Sequence, residues 1–258
     1  MNIRIRTLML RAGADFGLIV PLLAVLAILA VAAPSLASGL SIPEKLTYDL
    51  SWTGITAGSA TQEVVDDGDS IRVISTARSA SWISVFFPVE DRIESVLAKV
   101  APPLLGLPQH YRMKISEGSH RRDKEIIFDQ KALKAEYIDH LGGDKLTLDI
   151  LPNTYDFYSG FYYLRTLKLE VGKPVYVNIL DSKKMWNVEV QVVKKEKLKT
   201  ILGVVETIHV RPLVKSEGIF ERKGVIDIWL TDDERRIPVK MKTKVKIGSV
   251  TATLVKVN

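Results

Sequence analysis

Four histidines are the first candidates for chemistry: His110, His120, His140 and His209. No two of them stand two or four residues apart, so the spacing offers no paired metal ligands. Each reads as a strand or turn residue. The carboxylate pairs Glu90-Asp91 and Asp232-Asp233 are adjacent in the chain. Neighbours in a strand point to opposite faces, so neither pair converges on one substrate. Asp232-Asp233-Glu234-Arg235 reads instead as a hairpin turn. Asp227 shares a strand face with Trp229, on a wet surface or in a buried polar contact. Ser159, His140 and Asp156 could be drawn as a hydrolase triad, but a chain this rich in Ser and Asp offers many such sets. G-x-S-x-G, HExxH, P-loop and GxGxxG signatures are absent. A cleft that brings distant carboxylates together would be needed for hydrolysis.

The aromatic residues carry a stronger binding signal. Trp82, Phe86 and Phe87 form one group, and Tyr155, Phe157, Tyr158, Phe161, Tyr162 and Tyr163 form another within nine residues. One helix face cannot bury six rings. They either plug a β-structure, with hydroxyls reaching polar partners at its edge, or wall an apolar ligand cavity. The expected ligand-binding residues are Trp52, Trp82, Phe86, Phe87, Tyr158, Tyr162, Tyr163 and Arg165. No cofactor and no metal are expected.

The elements that must position these residues are mostly strands. From Ile237 to Ile247, Val239, Met241, Thr243 and Val245 alternate with Lys240, Lys242, Lys244 and Lys246, which predicts one buried face and one cationic face. Leu46, Tyr48, Leu50 and Trp52 share a face in the same way, as do Tyr111, Met113 and Ile115, and Trp186, Val188, Val190 and Val192. Turn signals separate the runs: Thr53-Gly54, Asp66-Asp67-Gly68-Asp69, Glu117-Gly118-Ser119 and Leu141-Gly142-Gly143-Asp144. Ala57-Gly58 predicts a bulge or bend. The expected fold is mainly β, with antiparallel curved sheets of about a dozen strands forming a sandwich or partly open barrel. One short helix is expected near 153–167, capped at Asn153, with Phe157, Phe161 and Leu164 along its apolar stripe. A shorter helix is expected over Ser81–Phe87, ending at Pro88.

Address comes from the first residues. Arg4, Arg6 and Arg11 precede the apolar run Leu18–Ala33, and Ser35-Leu36-Ala37 sets small residues at a cleavage site. Residues 1–37 therefore read as a Sec-type signal peptide and 38–258 as a single β-rich domain in the periplasm. The alternatives are a retained anchor and a two-lobe division near Pro152–Asn153. The chain of 258 residues has no cysteine and a formal charge of +6. Disulfides, thiolate metal sites, cysteine nucleophiles and lipoprotein acylation are excluded. The 220 or so residues after the leader are enough to bury a core without covalent staples. The basic residues read as solvated faces or as an attraction to anionic envelope surfaces. Nucleic acid is not an expected partner, and no membrane span is expected after cleavage.

Several separate blocks resemble one family. Glu44-Lys45-Leu46-Thr47-Tyr48-Asp49 with Trp52-Thr53-Gly54-Ile55, then Val89-Glu90-Asp91-Arg92-Ile93-Glu94-Ser95, Tyr162-Tyr163-Leu164-Arg165, Lys215-Ser216-Glu217-Gly218-Ile219-Phe220, and Trp229-Leu230-Thr231-Asp232-Asp233 with Arg236-Ile237-Pro238-Val239 are similar to domain of unknown function 3108. The resemblance spans about Pro43–Leu254. It implies an exported bacterial β-rich protein without an assigned activity, and it carries over no catalytic residue. Trp52, Asp91, Tyr163, Arg165, Glu217 and Trp229 belong to the shared pattern. The resulting expectation is a non-enzymatic carrier for a lipid or other apolar envelope molecule. The alternative is a structural module without a cavity that meets an envelope protein partner.

Overall fold

A computed structural model describes residues 39–100, 105–213, 226–245 and 248–258. The signal segment and the Lys215–Phe220 block lie outside these residues. Nine strands and one helical turn fill the first half. They are β1 (Glu44–Trp52), β2 (Ile55–Asp66), β3 (Ser70–Ser79), α1 (Ser81–Ser84), β4 (Glu90–Lys99), β5 (Leu105–Glu117), β6 (His120–Asp129), β7 (Lys134–Asp139), β8 (Lys145–Asp149) and β9 (Thr154–Tyr155). Helix α2 (Phe157–Thr166) follows. Then come β10 (Val175–Asp181), β11 (Lys184–Thr200), β12 (Gly203–Pro212), β13 (Ile226–Thr231), β14 (Pro238–Lys244) and β15 (Ser249–Val257).

The fifteen strands of the described residues belong to one sheet, ordered β8-β7-β6-β5-β4-β3-β2-β1-β15-β14-β13-β12-β11-β10-β9. Every pairing is antiparallel except β9 with β10. A single curled sheet, not a two-sheet sandwich, is therefore the architecture. Its edges are β8 and β9, and side chains draw these regions together. Gln130 Nε2 donates to the carbonyls of Pro108 and Thr154 at 3.2 and 2.8 Å. Lys183 Nζ meets Asp144 at 2.5 Å, joining the turns β10–β11 and β7–β8. Leu180 of β10 is buried with Tyr111, Ile126 and Tyr137 of β5–β7. The result is a partly open barrel.

Period two explains the strands. In β4 the inward row is Asp91, Ile93, Ser95 and Leu97, and in β5 it is Tyr111, Met113, Ile115 and Glu117. Thr53 and Gly54 both have positive φ, at 50 and 90°, which is the two-residue turn that suits the twist of a hairpin. Gly58 faces Leu50 while Thr56 faces Ser51, so Ala57 is the extra residue of the expected bulge. A Cβ on Gly58 would stand 2.2 Å from the carbonyl oxygen of Arg78, and only glycine fits there.

The helix differs from expectation in register. Asn153 sits in left-handed backbone at φ 55° and does not cap it. Thr154 and Tyr155 instead pair with β10, and Asp156 is the cap. The Asp156 carboxylate accepts from the N–H groups of Tyr158 and Ser159, and the Ser159 hydroxyl accepts from the N–H of Asp156. The buried stripe is Ser159, Gly160, Tyr162, Leu164 and Arg165, not Phe157 and Phe161, which remain half-buried. Helical spacing located the helix, but contact with the sheet on two sides chose the face. Tyr162 packs with Val64, Ile71, Val73 and Leu97, while Leu164 joins Val177, Val190, Ile208 and Leu230. The helix thus fills the concave side between the two halves of the sheet. The strand count exceeds a dozen because the chain adds short edge strands such as β9, where the sequence predicts helix.

Candidate functional site

Antiparallel pairing fixes two ends of the curled sheet. β1 and β14 begin at one end, and there α2 finishes. Arg165 donates from Nη1 and Nη2 to the two Glu44 carboxylate oxygens at 2.7 and 2.8 Å, and Nη2 also donates to the Arg235 carbonyl at 3.0 Å. Both side chains of this pair are nearly inaccessible, at 1 and 5%. The Arg165 guanidinium also lies over the Tyr162 ring, 4.9 Å from its centroid. This end is closed by a buried ion pair.

At the opposite end, β3 and β5 finish and β4 and β6 begin. A cleft of about 130 Å³ opens there, lined by Ser75 and Ala77 of β3, Asp91 and Ile93 of β4, Ile115 and Glu117 of β5, Arg122 of β6, and Phe157 and Tyr158 of α2. The hairpin places Asp91 and Glu117 at the ends of neighbouring inward rows. Arg92 pairs with Lys114, so the side chains of Asp91, Ile115 and Glu117 emerge on one face. The Ser116 N–H donates to Asp91 Oδ1 at 2.9 Å. Burial raises the Asp91 pKa most; the Ser116 hydrogen bond opposes it, and the Glu117 carboxylate beside it adds to the rise. The balance lifts Asp91 from 3.8 to about 6. Two carboxylates in one cleft, one of them titrating near neutrality, can share a proton, take up an organic cation, or act as an acid–base pair.

Asp91 and Glu117 were not recognised from sequence as a pair. Glu90, the chain neighbour of Asp91, points to the opposite face. The signal that finds the pair is parity: counting inward from Ile93 and Ile115 reaches Asp91 and Glu117, with Gly118-Ser119 as the turn. Of the expected binding residues, Tyr158 lines the cleft. Tyr162 is fully buried in the core, Tyr163 stacks on Tyr155 with centroids 4.6 Å apart, and Arg165 is held by Glu44. Trp52, Trp82, Phe86 and Phe87 are on the outside, beside the open end. The expected set is therefore divided among cleft, core and rim.

The histidines find partners that their spacing did not suggest. His110 Nε2 and His140 Nε2 approach the two Glu125 oxygens at 2.6 and 2.7 Å, and Arg112 Nη1 joins them at 2.5 Å. His209 and Arg211 meet Asp227 at 2.7 and 2.8 Å, and Trp229 stacks on His209. Asp227 is thus a partly buried polar contact. Among the described residues, no three His, Asp or Glu side chains form a metal-binding group. Asp233 accepts from the N–H groups of Arg235 and Arg236 at 3.1 Å, as the turn reading of Asp232-Asp233 requires.

The Glu125 cluster has a measurable consequence. Burial pushes Glu125 up, but the bonds from His110 and His140 and the Arg112 charge outweigh it and lower its pKa from 4.5 to about 2. A depressed carboxylate contributes stability above its unfolded pKa, and that contribution disappears as pH falls to the folded value. Glu125→Gln should therefore flatten the acid dependence of the melting temperature between about pH 4.5 and 2, which thermal unfolding across that range would read.

The open-ended sheet with a helix inside it defines a β-barrel-like domain. Residues 47–255 match the family described as Protein of unknown function (DUF3108), and the chain belongs to that family. The fold is similar to a β-barrel-like protein of DUF1849 from Brucella abortus, at 12% identity and a TM-score of 0.56, over 85% of this chain and 98% of that one. A "putative lipoprotein" from Parabacteroides distasonis aligns over 84% of this chain and 96% of its own at 7% identity, with a TM-score of 0.33. No curated protein matches the chain.

Proposed function

We propose that the chain is an exported, non-enzymatic binding domain of the bacterial envelope. Its ligand is an envelope amphiphile, and the ammonium-bearing head of that ligand enters the cleft. One observation carries this reading: two carboxylates, Asp91 and Glu117, face a cavity whose other walls include Phe157, Tyr158, Ile93 and Ala77 and one cationic residue, Arg122. Carboxylates beside aromatic rings suit an organic cation, which gains from charge and from the ring faces. A hard divalent ion wants six or more oxygen ligands. The size fits a head group of a few heavy atoms. Drug-sized ligands need about 300–1,000 Å³, so an acyl chain would lie outside this cleft. Export rests on the basic and apolar leader with its Ser35-Leu36-Ala37 site.

Titration of the full chain with ethanolamine, followed by calorimetry or side-chain NMR, tests the reading. Ionised Asp91 is the binding form. Affinity should drop about tenfold from about pH 7.5 to about pH 5, as Asp91 is protonated through about 6. Tyr158 faces the same cleft, and burial raises its hydroxyl pKa further, so it stays neutral over that range. Asp91→Asn retains an acceptor for the Ser116 N–H, so it should weaken binding while leaving the melting temperature near that of the parent. Saturable binding that ignores this substitution, or no binding, would sink the proposal.

A second reading is favoured by the same pair. Carboxylates that share a proton near neutrality are equipped for acid–base hydrolysis. The cleft's volume disfavours a polymer substrate threading past them. Turnover of a small ester or glycoside that vanishes in both Asp91→Asn and Glu117→Gln would replace binding by catalysis.

A further inference from the structure

The connection between β3 and β4 is built in an unusual way. It holds Trp82, Val85, Phe86 and Phe87, which are 51, 77, 84 and 51% exposed, and α1 buries no residue at all. Polar contacts fix its shape. The Ala80 N–H donates to the Ala57 carbonyl at 2.8 Å, the hydroxyls of Ser79 and Ser84 bond at 2.7 Å, and the Val89 N–H donates to Ser79 Oγ at 2.9 Å. The Phe86 and Phe87 N–H groups close the turn on the Ile83 carbonyl. A segment that is ordered by hydrogen bonds and leaves its large apolar side chains in water is a platform for presenting them. The β1–β2 hairpin at the same end adds Trp52 and Ile55, 43 and 60% exposed.

Cations flank this tip, and its exposed carboxylate Glu90 lies 3.5 Å from Arg78. Gly118 stands against the Phe87 ring, and Arg121 donates to the Gly118 carbonyl at 2.7 Å with its side chain exposed. Lys242 and Lys244 are exposed near the end of β14, where Thr243 pairs with Val250 and Val250 pairs in turn with Trp52. Tryptophan and phenylalanine with lysine and arginine beside them are the side chains of a bilayer interface: the rings enter the acyl boundary and the cations meet anionic head groups. A protein groove would match the rings but would not by itself require the flanking positive charge.

We propose that the tip formed by Trp82, Val85 and Phe86, with Trp52 and Ile55 beside it, docks into the interfacial layer of an anionic lipid bilayer, with Arg121, Lys242 and Lys244 against the head groups. The inference stands apart from the cleft, because it uses none of the cleft's polar groups.

The test is partition of the full chain onto vesicles of phosphatidylcholine with and without phosphatidylglycerol. Anionic lipid should strengthen partition, and the gain should fade with salt. Trp82→Ser with Phe86→Ser should weaken partition by at least about tenfold, with an unchanged melting temperature because neither side chain is packed in the core. Lys242→Glu with Lys244→Glu should abolish only the gain from anionic lipid. The apolar run at 18–33 could also bind vesicles, so a second readout looks at the tip alone. Lipids brominated on the acyl chains should quench tryptophan emission, and Trp82→Phe should remove a large part of that quenching. Absence of such quenching, or quenching that Trp82→Phe leaves intact, would overturn the proposal. Crosslinking of the tip to one discrete envelope protein without lipid quenching would overturn it in favour of a protein partner.

Discussion

Glu44→Ala is expected to destabilise the domain by about 3–5 kcal/mol, because it leaves the Arg165 guanidinium buried without its counter-charge. Arg165 places both terminal nitrogens on Glu44 and one on the Arg235 carbonyl, and both side chains are shielded from water. The pair joins the last turn of α2 to the first residue of β1, 121 residues away in the chain. Arg165→Lys should also be costly, since an ammonium cannot reproduce the two-pronged contact. Removing both charges with Glu44→Leu and Arg165→Met should recover much of the loss, because no charge is then stranded. Urea unfolding of the two single variants and the double variant measures the coupling directly. A single-variant loss below about 1 kcal/mol would put the pair in the class of surface bridges and remove its structural role.

Asp156→Ala should cost about 3 kcal/mol, from the lost helix cap and from the hydroxyls it strands in the core. The carboxylate accepts from two backbone N–H groups at 2.9 and 3.0 Å, from Ser159 Oγ at 2.6 Å and from Ser95 Oγ at 2.5 Å. Ser95 comes from β4, so the same carboxylate that starts α2 also docks it on the sheet. Ser95→Ala should cost less, about 1 kcal/mol, because Asp156 keeps its other three donors. Denaturant unfolding of the two variants ranks the effects. Equal losses would mean that the contact with β4, and not the cap, supplies the stability. Both variants should also disturb the cleft, since Phe157 and Tyr158 follow directly on the cap.

Particular residues show how far the sequence reaches. Val239 and Met241 against Lys240, Lys242 and Lys244 announced β14, and Asp66-Asp67-Gly68-Asp69 announced the β2–β3 turn, because period and turn chemistry are local properties. The cap of α2 is Asp156, three residues beyond the expected Asn153. Asn153 is a good cap in isolation, yet Thr154 and Tyr155 pair with Asn178 and Ile179 of β10, on the far side of the helix in the chain. Arg165 was legible as a member of the family pattern and was expected at a ligand. Its buried contact with Glu44 depends on α2 ending beside the start of β1, which no window of neighbouring residues contains.

The cleft shows the same division. By itself the sequence determined a β-rich chain without cysteine chemistry, its turns, its one substantial helix and its family, since each of these is written in residue type and short-range spacing. Only the tertiary structure decided that the strands form one curled sheet, that the helix fills its concave side, and that Asp91 meets Glu117 at the open end. The physical reason is register. Alternation tells which residues share a face of their own strand, but not which strand lies beside it or at what offset. The pairing of Arg92 with Lys114 sets that offset for β4 and β5. With it come two carboxylates in one cavity, and the burial that lifts one of them toward neutrality.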